Sequence, residues 1–383
     1  MTKITDIPAI RFKGFSDTWE QRKLSEIATM HARIGWQNLR TSEFLDSGDY
    51  MLITGTDFID GAVNFDTCHY VERERYEQDK HIQIRNGSIL ITKDGTLGKV
   101  AYIQGLTMPA TLNAGVFNVE IKDENEVDNR YLFQYLKAPF LMDYVDKKAT
   151  GGTIKHLNQN ILVDFPVVLP HKAEQEKIGE YFLAIDHLIT LHQRKYDKLT
   201  NVKKSMLEKM FPQNGSNAPE IRFKGFTEAW EQRKLGDVVD VRSGKDYKHL
   251  SEGNIPVYGT GGFMLSVNQA LSYDEDAIGI GRKGTIDKPY ILKAPFWTVD
   301  TLFYAIPREK VDLNFAFDVF QNIDWKKKDE STGVPSLSKT AINEIDVLVP
   351  QYDEQQPLGQ FFNRIDNLIT LHQRKPNFYT GGY

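Results

Sequence analysis

The chain has 383 residues, 40% hydrophobic and 26% charged, so it is long enough for two domain-sized cores and is not disordered in composition. Its formal net charge of −5 argues against a uniformly basic nucleic-acid binder, although net charge does not report local patches. A single cysteine, Cys68, excludes an internal disulfide and a cysteine-based metal cluster. The start lacks a signal peptide's apolar core and no run approaches the roughly 20 apolar residues of a membrane span, so we expect a cytoplasmic protein.

Two segments of the chain occur twice. IRFKGFSDTWEQRKL at 10–24 returns as IRFKGFTEAWEQRKL at 221–235, 211 residues later. IDHLITLHQRK at 185–195 returns as IDNLITLHQRK at 365–375, 180 residues later. We therefore interpret the chain as a tandem duplication in which matched framing segments enclose two interiors of different sequence, the second 31 residues shorter (211 against 180).

The first interior, from about Leu24 to His156, mixes short apolar runs with glycine turns. Its predicted strands are Ser88–Thr92, Val100–Ile103 and Val116–Ile121. Apolar and aromatic residues at helical spacing predict one helix over Tyr131–Val145. These elements indicate an α+β domain.

A long helix is predicted from near Glu174 to about Met210, roughly 55 Å at 1.5 Å per residue, with Pro212 ending it. Its apolar residues advance in alternating steps of four and three, which is typical of a helix with a helical partner. The second repeat supplies that partner, giving an intramolecular antiparallel coiled coil. The predicted facing sets are Ile178, Phe182, Ile185 and Ile189 on the first helix and Leu358, Phe362, Ile365 and Ile369 on the second.

The second interior, from about Leu235 to Leu337, follows the turn-rich segment PQNGSNAPE and has predicted strands at Ala277–Ile280 and Leu302–Ile306. Its closing helix meets Pro376, where a proline inside a helix costs roughly 3 kcal/mol. The predicted organisation is a first domain at 1–170, a long helix at 171–211, a linker at 212–220, a second domain at 221–350, a distal helix at 351–375 and a short tail at 376–383.

Motifs for catalysis and for cofactors are missing from the sequence. There is no Asn/Asp-Pro-Pro-aromatic motif of an adenine methyltransferase, no GxxxxGK[ST] or GxGxxG phosphate loop and no HExxH. The repeated His192 and His372 lie at seam positions, where interhelical hydrogen bonding is a better explanation than catalysis. We expect a protein without catalytic residues, cofactor or metal, and rate a nucleotide-using enzyme as a poor alternative.

The chain resembles the DNA specificity subunit of type I restriction-modification enzymes. The resemblance rests on both copies of IRFKGFxxxWEQRKL, on LVDFPVVLPHKAEQEKIGEYF (162–182) with EIDVLVPQYDEQQPLGQFF (344–362), and on the repeated IDxLITLHQRK. It implies two tandem target recognition domains with pseudo-twofold symmetry, each reading one half of a split DNA sequence, and paired helices that set the spacing. It also implies docking of methyltransferase subunits, two by symmetry, and leaves open whether restriction subunits join. The early stop at Pro376 departs from the family pattern.

Candidate DNA contacts follow from cationic turns in the two interiors. KDGTLGK at 93–99 matches RKGTIDK at 282–288, each between apolar strands, and glycine lets the backbone approach while Lys and Arg donate hydrogen bonds. RSGKDYK at 242–248, WKKK at 325–328 and the ATGG turn at 149–152 are further candidates. The candidate residues are Lys93, Thr96, Lys99, Thr150, Lys155, Arg242, Lys245, Tyr247, Lys248, Arg282, Lys283, Lys288, Lys326, Lys327 and Lys328.

Two interpretations of the chain remain. The preferred one is a non-catalytic DNA-recognition subunit; the alternative is a two-domain scaffold or adaptor that binds protein or glycan, with each cationic turn a solvated loop. The scaffold would explain the acidic balance, but gives no reason for divergent interiors within matched frames. Neither the target bases nor the spacer length is readable from the sequence.

Overall fold

The computed structural model describes residues 2–3, 8–34, 38–148, 156–213, 215–329 and 331–373. The chain divides into two compact units, Met1–Ile189 and Thr190–Tyr383, which we call the first and the second unit. The division falls inside one long helix, so each unit contains part of it. No helix in the described parts of the chain is long and apolar enough to cross a membrane.

The first unit combines short strands with helices. Its strands are β1 Thr2–Lys3, β2 Glu20–Lys23, β3 Ala28–His31, β4 Met51–Ile53, β5 Phe58–Ile59, β6 Ala62–Val63, β7 His69–Tyr70, β8 Gln83–Ile84, β9 Ile89–Thr92, β10 Val100–Tyr102, β11 Ala110–Leu112, β12 Val116–Ile121 and β13 Pro166–Leu169. Its helices are α1 Leu24–Ile27, α2 Arg73–Glu77, α3 Asn129–Lys137, α4 Phe140–Lys148, α5 Gln159–Val163 and the first part of α6 Lys172–Met210. The mixture confirms the α+β class.

The second unit repeats this plan with fewer elements. Its strands are β14 Glu231–Lys234, β15 Val239–Ser243, β16 Glu252–Gly259, β17 Gly262–Val267, β18 Ala277–Gly281, β19 Tyr290–Leu292, β20 Trp297–Thr298, β21 Leu302–Pro307 and β22 Asp346–Val349. Its helices are α7 Leu235–Val238, α8 Leu313–Asn322, α9 Lys339–Asn343 and α10 Tyr352–Gln373, together with the rest of α6.

The main sheets of the two units have the same strand order. The first unit has β10-β9-β12-β3 and the second has β19-β18-β21-β15, antiparallel throughout. A second sheet follows in each unit, β7-β4-β11-β8 or β17-β16-β20, and contains one parallel pair. The five strands predicted from apolar runs are all present. The single predicted helix over Tyr131–Val145 is wrong: it is two helices, α3 and α4, separated at Pro139, which cannot donate a backbone hydrogen bond.

The framing segments form the same buried ion pair in each unit. Arg11 donates two hydrogen bonds of 2.7 Å to the carboxylate of Glu174, and Arg222 donates two of 2.6 Å to Glu354. Both glutamates are buried, so the fork geometry of the guanidinium satisfies a charge that water cannot reach. The repeated IRFKGF is thereby tied to the repeated start of the helix.

A glutamine in each frame connects that helix to the interior domain. The Gln175 side chain accepts a hydrogen bond from the backbone of Asp128 and donates one to the carbonyl of Pro170. Gln355 makes the same pair of bonds in the second unit, to the backbone of Asp312 and the carbonyl of Pro350. Both aspartates also cap the next helix, α3 or α8, at 3.0 Å.

A glycine in each frame permits close packing of the helices. A Cβ at Gly179 would lie 2.7 Å from the backbone nitrogen of Tyr131, and one at Gly359 would lie 2.6 Å from that of Phe315. Any larger residue at these positions would force α6 away from α3, or α10 away from α8.

The predicted facing sets of the two long helices are wrong. Phe182 and Ile189 are 47% and 60% exposed. Phe362, the repeat counterpart of Phe182, is fully buried in the core of the second unit, where its ring centroid lies 6.1 Å from that of Phe211. The residues that cover Leu358, Phe362 and Ile365 come instead from the last turns of α6 and from α8. Periodicity identified the buried face of α10 but not the residues that cover it, and on α6 it selected two residues that are exposed.

The second unit contains direct polar contacts between α6 and α10. His192 Nδ1 lies 2.8 Å from His372 Nδ1, which confirms the predicted interhelical hydrogen bond between the repeated histidines. The ammonium of Lys203, eleven residues after His192 on α6, is paired with Asp366, six residues before His372 on α10. Higher numbers on α10 match lower numbers on α6, so these parts of the two helices run antiparallel. Pro376 lies outside the described residues.

Candidate nucleic-acid interface

A hairpin at 93–99 joins β9 to β10 in the first unit. Gly95 and Gly98 have φ angles of +73° and +71°, which non-glycine residues rarely adopt. The Thr92 hydroxyl closes the turn by bonding with the Thr96 carbonyl and with the backbone nitrogen of Lys99. The hairpin thus has a defined shape.

The hairpin at 282–288 joins β18 to β19 at the equivalent place of the second unit. Gly284 has a φ of +96°, and its nitrogen donates a hydrogen bond of 2.8 Å to the carbonyl of Pro335. The backbone nitrogen of Arg282 donates to the carbonyl of Thr301 on the neighbouring loop, also at 2.8 Å. In the first hairpin the backbone nitrogen of Lys93 donates a hydrogen bond of 2.8 Å to the carbonyl of Gly115, so both hairpins lie beside the loop that leads into β12 or β21.

Lys93 and Arg282 occupy matching positions. The carbonyl of Lys93 accepts a hydrogen bond of 2.8 Å from Leu157, and that of Arg282 accepts one of 2.9 Å from Leu337. The Lys93 ammonium lies 5.4 Å from the ring centroid of Phe117, and the Arg282 guanidinium lies 5.8 Å from that of Phe303. Contact with the ring face holds each cation at the base of its hairpin.

Neither phenylalanine was predicted from the sequence. Phe117 lies on β12 and Phe303 on β21, 24 and 21 residues after the cations they contact, and nothing in a single sequence connects residues so far apart. Alignment of the two interiors on their hairpins, with a gap of three residues, would have shown a phenylalanine at the second position of β12 and of β21, the strands that pair with β9 and β18. That is the signal that was available.

Several predicted cations make no ion pair with another described residue. They keep their full charge for an anionic ligand, and most are exposed: Lys93, Lys99, Lys245, Lys248, Lys283, Lys288 and Lys328. Thr96 is exposed beside them at the tip of the first hairpin. The structure therefore brings Lys93, Thr96 and Lys99 together in the first unit, and Arg282, Lys283 and Lys288 in the second.

Other predicted cations already have carboxylate partners. Arg242 lies 2.7 Å from Asp240 and 3.4 Å from Glu275. Lys326 lies 3.0 Å from Asp287 and lowers the pKa of that carboxyl through their hydrogen bond, and Lys327 lies 3.1 Å from Asp324. Much of their charge is neutralised within the domain, and contact with DNA would have to compete with these pairs.

The aromatic residues predicted near these cations are not free surfaces. Trp325 is buried, and its indole nitrogen donates to the carbonyl of Phe320 at 2.8 Å. Tyr247 is partly buried against the apolar cluster around Trp297. The Trp325 ring is therefore covered by protein and offers no face for stacking on a base. Thr150 and Lys155 lie outside the described residues.

The chain is thus a tandem α+β protein in which each unit carries a cationic hairpin. Residues 16–201 and 227–378 both match the family "Type I restriction modification DNA specificity domain". The chain therefore belongs to that family, and carries two copies of its domain in a DNA sequence-specificity role. The scaffold alternative is not favoured.

Similar proteins agree with this assignment. The type I restriction enzyme MjaVIII specificity subunit of Methanocaldococcus jannaschii is 24% identical over 340 residues, covering 78% of this chain and 76% of that protein. The MjaIX specificity subunit of the same organism is 24% identical over 240 residues, 60% of this chain and 53% of that protein. The crystal structure of a type I restriction-modification S subunit from M. genitalium superposes with a TM-score of 0.70 at 17% identity, covering 97% and 94% of the two chains. That superposition shows a shared fold.

Proposed function

We propose that the chain is the non-catalytic specificity subunit of a type I restriction-modification enzyme, in which each domain reads one half of a bipartite DNA target. The observation that supports this most is the repeated arrangement of cation, phenylalanine ring and hairpin at Lys93 and at Arg282. The proposed domains are 1–170 and 221–350, with 212–220 as the linker. The helices at 171–211 and 351–375 form an antiparallel coiled coil that sets the half-site spacing and relates the domains by a pseudo-twofold axis, as dimer symmetry does for palindromic sites.

Arg282 is the proposed base reader of the second domain. A guanidinium makes two hydrogen bonds to O6 and N7 of guanine in the major groove, a contact worth about 1–3 kcal/mol of discrimination. Lys283 and Lys288 flank it and have no ion pair with a described residue, so they are free to contact phosphates. Lys93 is the corresponding reader in the first domain, with Thr96 and Lys99 beside it.

The remaining candidates have supporting roles. Lys245, Lys248 and Lys328 add phosphate contacts in the second domain, together with Thr150 and Lys155 in the first. Arg242, Lys326 and Lys327 contribute less, because each would have to leave a carboxylate of its own domain. Tyr247 would contact DNA through its hydroxyl group and not by stacking its ring on a base, because the ring packs against the apolar cluster around Trp297.

The repeated helical segments offer two matching docking surfaces for methyltransferase subunits. Leu188 and Leu191 are exposed on α6, and their repeat counterparts Leu368 and Leu371 are exposed on α10. Leucines three residues apart are neighbours on a helix surface, so each pair forms one exposed apolar patch, the kind of surface that marks an interaction site. We propose that each leucine pair docks one methyltransferase subunit, and that methylation by the complex requires both.

The test is to reconstitute the chain with its methyltransferase subunit and to map methylated sites by sequencing. Arg282→Ala should relax one position of one half-site, Lys93→Ala should alter the other half-site, and Lys283→Ala should weaken all sites and reduce the salt dependence. Lys224→Ala, an exposed lysine of the front segment, is the matched control and should leave the map unchanged.

Changes in both half-sites from one substitution would contradict two independent readers. Methylation by the isolated chain with S-adenosylmethionine would contradict the non-catalytic role.

A further inference from the structure

Two histidines and a glutamate converge at one edge of the first unit. His31 ends β3 and Glu120 lies on the paired strand β12, where His31 is opposite Asn118 and Glu120 is opposite Thr29. Side chains alternate along a strand, so Thr29, His31 and Glu120 project from the same face of the sheet. His81 lies in a one-turn 3₁₀ helix, Lys80–Ile82, in front of that face.

The backbone at His81 is held firmly. Its carbonyl accepts a hydrogen bond of 3.0 Å from the amide of Asn118, and its nitrogen donates one of 2.9 Å to the carboxylate of Asp79. The next residue, Ile82, is completely buried. The position of the His81 backbone relative to β3 and β12 is therefore set by these contacts.

The donor atoms of these three side chains lie within 4.8 Å of one another. His31 Nε2 is 3.7 Å from Glu120 Oε2, and the two imidazole rings are stacked with centroids 4.6 Å apart. Ligands of a tetrahedral zinc ion are separated by about 3.3 Å, given bonds of about 2.0–2.1 Å. His81 and Glu120 are exposed and His31 is half-buried, so the side chains have room to rotate, and the stacked rings must turn to bring the donor atoms to that separation. Both His31 and His81 line open clefts, so an ion can enter from solvent.

The second unit has different residues at the corresponding edge of its main sheet. In the strand register Arg242 is opposite Tyr304, as His31 is opposite Asn118. Arg242 therefore corresponds to His31, and Ile306 corresponds to Glu120. The guanidinium of Arg242 is held by Asp240 and Glu275, so this edge carries its own cation. In the first unit the nearby Lys122 directs its ammonium to the carbonyl of Ser25.

We propose that His31, His81 and Glu120 bind a single divalent transition-metal ion of the zinc, cobalt or nickel type. Two imidazoles and one carboxylate suit these ions, whereas magnesium and calcium prefer all-oxygen sites. Three protein ligands leave one position for water. The ion ties the turn that leads into β8 to the edge of the main sheet, which gives it a stabilising role in the first unit. No metal site was predicted from the sequence, because ligands 50 and 39 residues apart match no metal-binding spacing.

The experiment uses the full chain after chelator dialysis, titrated with Co²⁺ and then competed with Zn²⁺. One Co²⁺ per chain with the visible absorption of a four-coordinate site is expected, together with a rise in Tm of several degrees at saturating Zn²⁺. His81→Gln and Glu120→Gln should weaken binding at least tenfold, while His187→Gln, an exposed histidine of α6, should bind as the unchanged chain does.

Comparison of the chelated proteins separates ligand loss from misfolding. If both variants have the Tm of the unchanged chain in chelator and lose only the rise produced by Zn²⁺, the three residues are ligands. Absence of stoichiometric Co²⁺ binding would overturn the proposal. Binding that is equally tight in all three variants would do so too, because it would place the ion elsewhere.

Discussion

The two units have the same contacts between their framing segments but different interior domains. Arg11, Glu174 and Gln175 in the first unit and Arg222, Glu354 and Gln355 in the second make the same contacts with nearly the same distances. The interior edges differ: a histidine pair with Glu120 lies where the second unit has an internally paired Arg242. A duplicated frame can therefore hold a changing interior, because these shared contacts are made by frame residues and by the aspartate that caps the next helix.

The units also differ in how the helix following each domain is covered. Asp186 accepts hydrogen bonds from Gln134 and Lys137 of α3. Its repeat counterpart Asp366 is paired with Lys203, which comes from α6. In the second unit, the position corresponding to Gln134 is Asp318, which is buried. The second unit thus depends on residues of the long helix for both its core and its charge balance.

The largest difference should appear on truncating the repeated phenylalanine. Phe362→Ala removes a completely buried ring from the core of the second unit and should cost about 3–5 kcal/mol. Phe182→Ala removes a half-exposed ring and should cost less than about 1 kcal/mol. Urea unfolding of the full chain, with hydrogen exchange of α10 and of the first half of α6, measures both. Equal losses would mean that the two helices are covered alike.

Removing the lysine paired with Asp366, or the lysine paired with its counterpart Asp186, should cost less stability than Phe362→Ala. The two losses should again differ between the units. Lys203→Met leaves Asp366 and the buried Asp318 without their positive neighbour and should cost about 2–3 kcal/mol. Lys137→Met breaks a more exposed pair in the first unit and should cost about 0–1 kcal/mol. Lys204→Met, on the exposed face of α6, is the control for loss of charge alone. A Lys203 loss no larger than that of Lys204 would rule out this dependence on α6.

A stabilising change is expected at Asp318. Burial raises the pKa of this carboxyl, partly opposed by Lys203, and its Oδ2 has no hydrogen-bond partner among the described residues. The native state then holds its proton to higher pH than the unfolded state, so the stability falls as pH rises above the ordinary aspartate range. Asp318→Asn should raise the free energy of unfolding by about 1 kcal/mol at pH 8 and by less at pH 5. A gain that is independent of pH would contradict this cause.

The smallest effect should come from the histidine contact between α6 and α10. Desolvation, Lys195 and His192 lower the pKa of His372. The unfolded state therefore binds more protons near and below pH 6.5, and the helix contact should weaken as pH falls through that range and be fully formed above it. His372→Gln should remove the dependence in hydrogen exchange of α10, whereas His187→Gln should keep it. An unchanged pH profile in His372→Gln would assign the dependence to other groups.

Repetition and residue pattern determined much of this protein without any structure. Two near-identical segments, at 10–24 and 221–235, located the frame, and the apolar runs located β9, β10, β12, β18 and β21, because burial of a strand needs a local apolar run. The hairpins at 93–99 and 282–288 were visible because glycine is required where φ is positive. The pairing of His192 with His372 followed from the repeat.

Only the tertiary structure decided which distant residues meet. A heptad pattern marks an apolar face but is the same in every register, so it could not show that Phe362 is covered by Phe211 while Phe182 stays exposed. Strand pairing brought Phe117 to Lys93 and Phe303 to Arg282, and placed His31, His81 and Glu120 at one edge. Such contacts depend on sheet register and on chain segments tens of residues apart, for which local sequence carries no signal.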